Sequence, residues 1–161
     1  MKNENVQPNS ITFVSLLNAC SHSGLVDETL QYFNIMKEKY GITPDVMHYT
    51  CLIDTLGRAG RLEEAENLIK TMKEPDIITW RTLLGACRWY NDIERAERAA
   101  ENAIKLDSKN SHIYVLLSNI YSVAGRLEDE IKIRQRMKEM ELRKYQDKHG
   151  LKLMERYTHL W

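Results

Sequence analysis

Five histidines and three cysteines are the residues of this chain best suited to hold a metal or act as nucleophiles. His22, His48, His112, His149 and His159 all lack a glutamate two residues later, so none starts the His-x-Glu pattern of hydrolytic zinc sites. Cys20, Cys51 and Cys87 lie far apart, and no two have metal-ligand spacing. Their odd number argues against a fully paired disulfide framework, and they read as buried small apolar side chains in a reducing compartment. Phosphate-binding loops, dinucleotide fingerprints and nucleophile elbows are also missing. The chain is therefore expected to need no cofactor and to perform no catalysis alone.

A second set of polar residues has more promise. Asn9, Asp45, Asp76 and Asn110 each stand just before a stretch with helical periodicity. All four are helix N-cap types, so capping alone could explain them; the other reading is a polar edge that meets a ligand. The Lys132, Arg134, Arg136 and Lys138 run invites a phosphate-binding reading. Glu128, Asp129, Glu130, Glu139 and Glu141 share its helix, so it reads rather as a solvated face. Lys plus Arg equal Asp plus Glu at 23 each, and bulk charge gives no long-range attraction for nucleic acid.

The elements that position these residues follow from internal repetition. Phe13, Tyr49, Trp80 and Tyr114 are 36, 31 and 34 residues apart. Leu16–Leu17, Leu52–Ile53, Leu83–Leu84 and Leu116–Leu117 follow them at constant offset, as do Gly24, Gly60, Asn91 and Gly125. Met36, Met72, Ala103 and Met137 close the units, and Pro8, Pro44 and Pro75 keep the same period. Within a unit, Tyr49, Leu52, Ile53 and Leu56 fall on one helix face, and Leu62, Ala65, Leu68, Ile69 and Met72 on a second. Glycine, or asparagine at 91, suits the left-handed residue that ends a first helix. The expectation is four helix pairs near 10–40, 46–73, 77–106 and 111–140. No pair can bury both apolar faces alone, so they must stack: an all-α, α-solenoid fold of four antiparallel helix-pair repeats.

The 161 residues are 43% hydrophobic and 29% charged, a balance suited to a globular array. No apolar run approaches a membrane span, and no membrane partner is expected. MKNENVQPNS resembles neither a signal peptide nor an Arg- and Ser-rich transit peptide, so any organellar address is expected outside this chain.

Repeats with these features resemble pentatricopeptide repeats and their tetratricopeptide relatives. The likeness is most specific in HYTCLIDTLGRAGRLEEAENLIKTM (48–72), ITWRTLLGACRWYNDIERAERAAENAIKLD (78–107) and YVLLSNIYSVAGRLEDE (114–130). These segments resemble the C-terminal region of plant organellar proteins with alternating long and short motifs. The resemblance makes 10–45 a long motif, 46–76 a short one, and 77–110 and 111–144 two tetratricopeptide-like E motifs, followed by an extension over 145–161. It implies C-to-U RNA editing in the mitochondrion or chloroplast. The repeats would select single-stranded RNA, and the E motifs would bring in a cytidine deaminase domain and editing accessory proteins. The deaminase's own zinc signature is not in this sequence.

By the same resemblance, the fifth residue of a motif and its last read the base. In the short motif these are Thr50 and Asp76, a pair associated in the family with guanine. In the long motif they are Val14 and Asp45, and valine offers no hydrogen bond. Ile11 and Met47 match positions whose apolar side chains pack against bases. Two repeats make few phosphate contacts, so weak RNA binding is expected of the isolated chain.

At the end of the chain, Leu151, Met154, Tyr157 and Leu160 recur every three residues, allowing a short C-terminal capping helix after Gly150 or a docking helix for a partner. The first repeat has no comparable cap, so a homodimer through residues 10–40 is also expected. The competing reading is a tetratricopeptide-type protein–protein adaptor, or a structural stub, with no RNA contact here.

Overall fold

A computed structural model describes the backbone of residues 6–157 and side chains up to residue 150. It contains eight α-helices and, among the described residues, no strand: α1 Ser10–His22, α2 Val26–Glu38, α3 Val46–Arg58, α4 Leu62–Thr71, α5 Ile77–Tyr90, α6 Ile93–Leu106, α7 Ser111–Val123 and α8 Leu127–Tyr157. These are the four expected pairs.

Each first helix starts on a polar cap. Asn9 and Thr12 form a reciprocal capping box at α1, with the Thr12 N–H 2.9 Å from the Asn9 side-chain oxygen. Asp45 and His48 form a second capping box at α3, while Asp76 and Asn110 cap α5 and α7 by accepting the N–H groups of Thr79 and His112. Second helices α2 and α4 have no side-chain cap and instead carry acidic pairs in the first turn, Asp27 with Glu28 and Glu63 with Glu64, opposite the positive end of the helix dipole. Gly24, Gly60, Gly125 and Asn91 all take positive φ, so the turn within every pair depends on the residue type that tolerates it.

The first helices pack in a row, α1 on α3, α3 on α5 and α5 on α7, while each second helix lies behind its partner and against the first helix that follows, except that nothing follows α8 among the described residues. The row is parallel. Ser10 meets His48, Val14 meets Cys51 and Ser21 meets Asp54, so N-termini align with N-termini. One core runs through the stack, from Phe13, Leu17 and Met36 through Ile53 and Ile69 to Leu83, Ala99, Ile113 and Ile133. Cys20, Cys51 and Cys87 are free and buried within it, and burial pushes the Cys87 thiol up to about 12.

Two close approaches fix the spacing of this row. A Cβ built on Gly57 of α3 would lie 2.7 Å from the Ala86 Cβ of α5, so only glycine allows these helices to cross so tightly. At the same crossing, the Tyr90 hydroxyl donates to the Arg58 carbonyl at 2.6 Å and its ring covers Gly60.

The last helix differs from expectation in length. The segment after Gly150 is helical but is not a helix of its own: α8 runs unbroken from Leu127 to Tyr157. Between Leu127 and His149 the sequence holds no proline or glycine, and Arg134–Glu130 and Gln135–Glu139 support it at i, i+4 spacing. One glycine in a helix costs about 1 kcal/mol and does not stop it. The added turns reach the loop between α6 and α7, where Lys109 lies 3.3 Å from Asp147. The side chains of Leu151, Met154, Tyr157 and Leu160, expected to cap the stack, lie outside the described ones.

Candidate nucleic-acid interface

Parallel alignment of the first helices brings their N-termini to one edge of the layer, and the predicted reading residues stand there. Ile11 and Met47 are exposed, at 74% and 53%. Ile78, in the same register on α5, is 41% exposed and extends this apolar row to a third unit, which repeat arithmetic could have shown. Such side chains have no folding reason to face water, and their shared register makes them one feature.

The capping reading of the polar residues holds, and it does not exhaust them. Asp76 receives the Thr79 N–H at 2.8 Å and the Thr79 hydroxyl at 2.7 Å, both on Oδ1. A carboxylate has about four acceptor sites, and Oδ2 makes no hydrogen bond among the described residues. Asp45 receives the N–H groups of Met47 and His48 on Oδ1, at 2.9 and 3.3 Å. Burial pushes the Asp45 carboxyl upward, but the His48 backbone, the His48 ring and the Met47 backbone outweigh it, and the net shift is downward. Both aspartates can cap and still present an acceptor.

Thr50 sits half-buried one turn into α3, and its hydroxyl donates to the Val46 carbonyl at 2.8 Å. That removes its only donor and leaves an oxygen that accepts. Val14, at the equivalent place on α1, is half-buried and has no polar side-chain atom.

His48 was not singled out by sequence and proves structural. It is fully buried, with Nε2 3.0 Å from the Ser10 carbonyl and Nδ1 3.1 Å from the Asp45 N–H. Since the carbonyl can only accept, Nε2 donates, and Nδ1 also lies 2.8 Å from Asp45 Oδ1. The ring thereby ties the start of α1 to the cap of α3 and sets the edge. A histidine three residues after a capping aspartate is the signal.

Beyond the edge, α1, α3 and α5, with Leu116 of α7, line a groove of about 850 Å3. Its residues include Asp54 and Arg58 of α3 and Arg81, Arg88, Trp89 and Tyr90 of α5. Asp54 accepts from Ser21 at 2.6 Å and from the Arg58 guanidinium at 2.8 Å. These groove residues were missed because the repeat signal draws attention to the apolar face, while Arg81, Arg88 and Trp89 lie opposite.

The other layer holds a different kind of contact. Glu66 of α4 is 4% exposed and receives Arg95 Nε at 2.8 Å, Arg98 Nε at 2.9 Å and Arg98 Nη2 at 3.0 Å, both arginines coming from α6. Hydrogen bonds from Arg98 and Arg95 hold its carboxyl down at about 2 despite burial. The clasp joins the second unit to the third. Between the third and fourth, the Tyr121 hydroxyl and Arg126 converge on Glu97 at 2.9 and 3.0 Å.

The basic run on α8 forms no free cationic patch. Arg134 pairs with Glu130 and Ser118, Lys132 lies 3.9 Å from Asp129, and Arg136 lies 3.9 Å from Glu101. Among the described residues no group of three His, Cys, Asp or Glu side chains could hold a metal, and no helix is long and apolar enough to cross a membrane.

Comparisons with known proteins agree with this architecture. Residues 11–40 and 40–73 each match the PPR repeat family, and residues 90–146 match the E motif family. A pentatricopeptide repeat-containing protein of Arabidopsis thaliana is 52% identical over 138 residues, covering 85% of this chain and 30% of the relative. Another from the same plant, named as mitochondrial, is 46% identical over 145 residues, 89% of this chain and 23% of the relative. The chain thus spans less than a third of the length of these relatives. Among solved structures, the maize pentatricopeptide repeat protein PPR10 superposes with a TM-score of 0.65 at 28% identity, over 86% of this chain and 20% of that one. Its complex with an 18-nt psaJ RNA element gives 0.68 at 22% identity, over 93% and 21%. The stack of helix pairs, the matched repeats and the relatives place this chain in the pentatricopeptide repeat family, with two pentatricopeptide repeats followed by an E motif in the order of the C-terminal region of a plant protein with alternating long and short motifs.

Proposed function

We propose that the first-helix edge binds single-stranded RNA, with Thr50 and Asp76 as its base-reading pair. The observation that carries this is the state of their polar atoms. Thr50 has spent its proton on Val46, and Asp76 keeps a free carboxylate oxygen, so the pair offers two acceptors and no donor. Guanine is the base whose pairing edge presents two adjacent donors, N1–H and N2–H, whereas adenine, cytosine and uracil each present one donor position. Val14 with Asp45 offers one acceptor and discriminates less. Ile11 and Met47 supply the apolar surface against which bases stack. That the maize protein was solved with an RNA element supports the reading.

The division into a long motif (10–45), a short motif (46–76) and two E-type units (77–110 and 111–144) with an extension (145–161) is part of this proposal. So is a role in C-to-U editing, in which the last two units hold a cytidine deaminase domain supplied by another protein. Val123, Leu127 and Ile131, all more than 60% exposed on the fourth unit, give such a partner an apolar surface. The same patch favours the adaptor reading should RNA binding fail. Relatives named as mitochondrial support a location in an organelle, the mitochondrion or the chloroplast.

The test of base reading is Asp76→Asn. By fluorescence anisotropy at low salt, the native chain is expected to prefer a guanosine-containing oligonucleotide to its adenosine counterpart. The asparagine amide presents a donor as well as an acceptor, so the variant should shift toward adenosine. Unchanged base preference overturns the assignment. Editing is tested by sequencing organellar transcripts from a plant lacking the parent gene, where loss of conversion at one or a few cytidines is expected and an unaltered editing profile contradicts it.

A further inference from the structure

Trp89 is the most exposed large side chain of α5, at 82%. It is not loose. The Tyr90 hydroxyl anchors the adjacent residue to the Arg58 carbonyl at 2.6 Å, and Asn91 ends the helix in a left-handed turn immediately after. The indole therefore projects from a fixed helix end into the groove. Burying it would gain free energy, and among the described residues nothing covers it.

Two guanidinium groups share its groove. Arg81 and Arg88 also line the groove, and neither lies within ion-pair distance of a carboxylate among the described residues. The groove's carboxylate, Asp54, is already bound by Ser21 and Arg58. The uncompensated charge there is positive although the chain as a whole is neutral. Thr82, Gly85 and Ala86 of α5 and Leu116 of α7 line the rest of this part of the groove.

On α5 the residues Ile78, Arg81, Gly85 and Trp89 recur at three- and four-residue spacing, the same helix stripe. That stripe begins at the base-reading edge. The groove is thus continuous with the proposed interface and runs from it into the third unit, within reach of the E motif match.

We propose that Trp89, with Arg81 and Arg88, forms a nucleotide subsite in the third unit, where one base stacks on the indole and the arginines bind the neighbouring phosphates. An exposed aromatic face beside unpaired cations is the combination by which proteins hold single strands without reading their sequence. An acidic peptide would also meet the charges, but a single strand sets a base beside every phosphate and so matches an exposed indole with cations in one groove. The subsite rests on the RNA-binding reading above. It adds that the E-type unit itself touches RNA and contributes grip rather than base choice.

The experiment compares two single-stranded oligonucleotides on the whole chain at low salt, one just long enough for the first two repeats and one several nucleotides longer at the end that passes the third unit. Trp89→Leu is expected to weaken the longer one about tenfold and to leave the shorter one unchanged, as loss of one base–aromatic stack does. Trp89→Phe should retain most of the affinity, because the ring matters and not merely the bulk. With Trp161 replaced by phenylalanine in both chains, intrinsic tryptophan quenching by the longer RNA should disappear in Trp89→Leu, since the remaining Trp80 is buried. Replacing Arg81 and Arg88 together by glutamine should reduce the slope of log affinity against log salt by about 1.4, at about 0.7 per phosphate. All three sites are exposed, so circular dichroism should show unchanged folding.

Equal affinity of native and Trp89→Leu chains for the longer RNA overturns the subsite while base preference at Asp76 stands. Loss of both oligonucleotides together, with native circular dichroism, also overturns it, because the residue would then act on the whole interface. A native chain that binds an acidic peptide through Trp89 and neither RNA overturns the subsite and the RNA reading together.

Discussion

Replacing Glu66 by glutamine should uncouple the front of the stack from the back. Glu66 accepts three hydrogen bonds from Arg95 and Arg98 across the boundary between the second and third units. Its carboxyl is held at about 2 rather than 4.5, which at about 1.4 kcal/mol per pH unit corresponds to ~3 kcal/mol. The Arg98 side chain is 49% exposed, and solvent screens part of its attraction, so ~2 kcal/mol is the working figure. For a chain of this length that lowers Tm by ~4–8 °C. The sign with pH follows from the downward shift. The contribution is complete above the unfolded value of 4.5 and is lost as pH falls toward 2. Urea titrations followed by circular dichroism at pH 7 and pH 2.5 should therefore show a native–variant gap of ~2 kcal/mol at pH 7 that narrows steeply at pH 2.5. Because the clasp is an interface between neighbours, the variant should also unfold over a broader range, as the two halves melt less cooperatively. A gap under ~0.5 kcal/mol at pH 7, or an equal gap at both pH values, would refute the clasp.

Gly57→Ala should destabilise by ~1–2 kcal/mol, since its Cβ would meet Ala86 at 2.7 Å and overpacking exceeds the gain in helix propensity; Ala86→Gly should recover part of the loss, and a neutral or stabilised Gly57→Ala contradicts the tight crossing. Asp76→Asn should leave urea stability within ~0.5 kcal/mol because asparagine caps as well as aspartate, whereas Asp76→Ala should cost ~1 kcal/mol, which separates capping from base reading; equal losses in both variants would show that the charge itself stabilises α5. We also propose that self-association through α1 is weak. Its outward face carries exposed Thr12, Ser15 and Ala19 with Leu16 only half-exposed, so light scattering should detect dimers only at high concentration, and a strict monomer at every concentration would count against a pairing face there.

Helices were legible in the sequence because a repeat states its apolar face several times over, and because Gly24, Gly60, Asn91 and Gly125 mark the turns. The four caps were legible for the same reason. The length of α8 was not, since Gly150 reads as a break between two helices and only the fold shows α8 carried through it. Distant pairings were also hidden: Glu66 reads as one more acidic residue on a second helix, and only the fold shows two arginines from α6 closing on it. The same holds for Gly57, whose period matches a helix interior and whose purpose appears only against Ala86. At the candidate site, the residue types of Thr50 and Asp76 were readable by resemblance, but which of their atoms remain free depends on the Val46 and Thr79 hydrogen bonds.

The central claim is that one edge of the first-helix layer meets RNA. A two-dimensional amide NMR titration of the whole chain with a short guanosine-containing single strand tests it most directly, because it registers weak binding residue by residue. Shifts should fall at the starts of α1, α3 and α5, strongest around Met47, Thr50 and Asp76–Ile78, and be smaller with the adenosine counterpart. Shifts that fall instead on the second helices, or none at millimolar RNA, would contradict it.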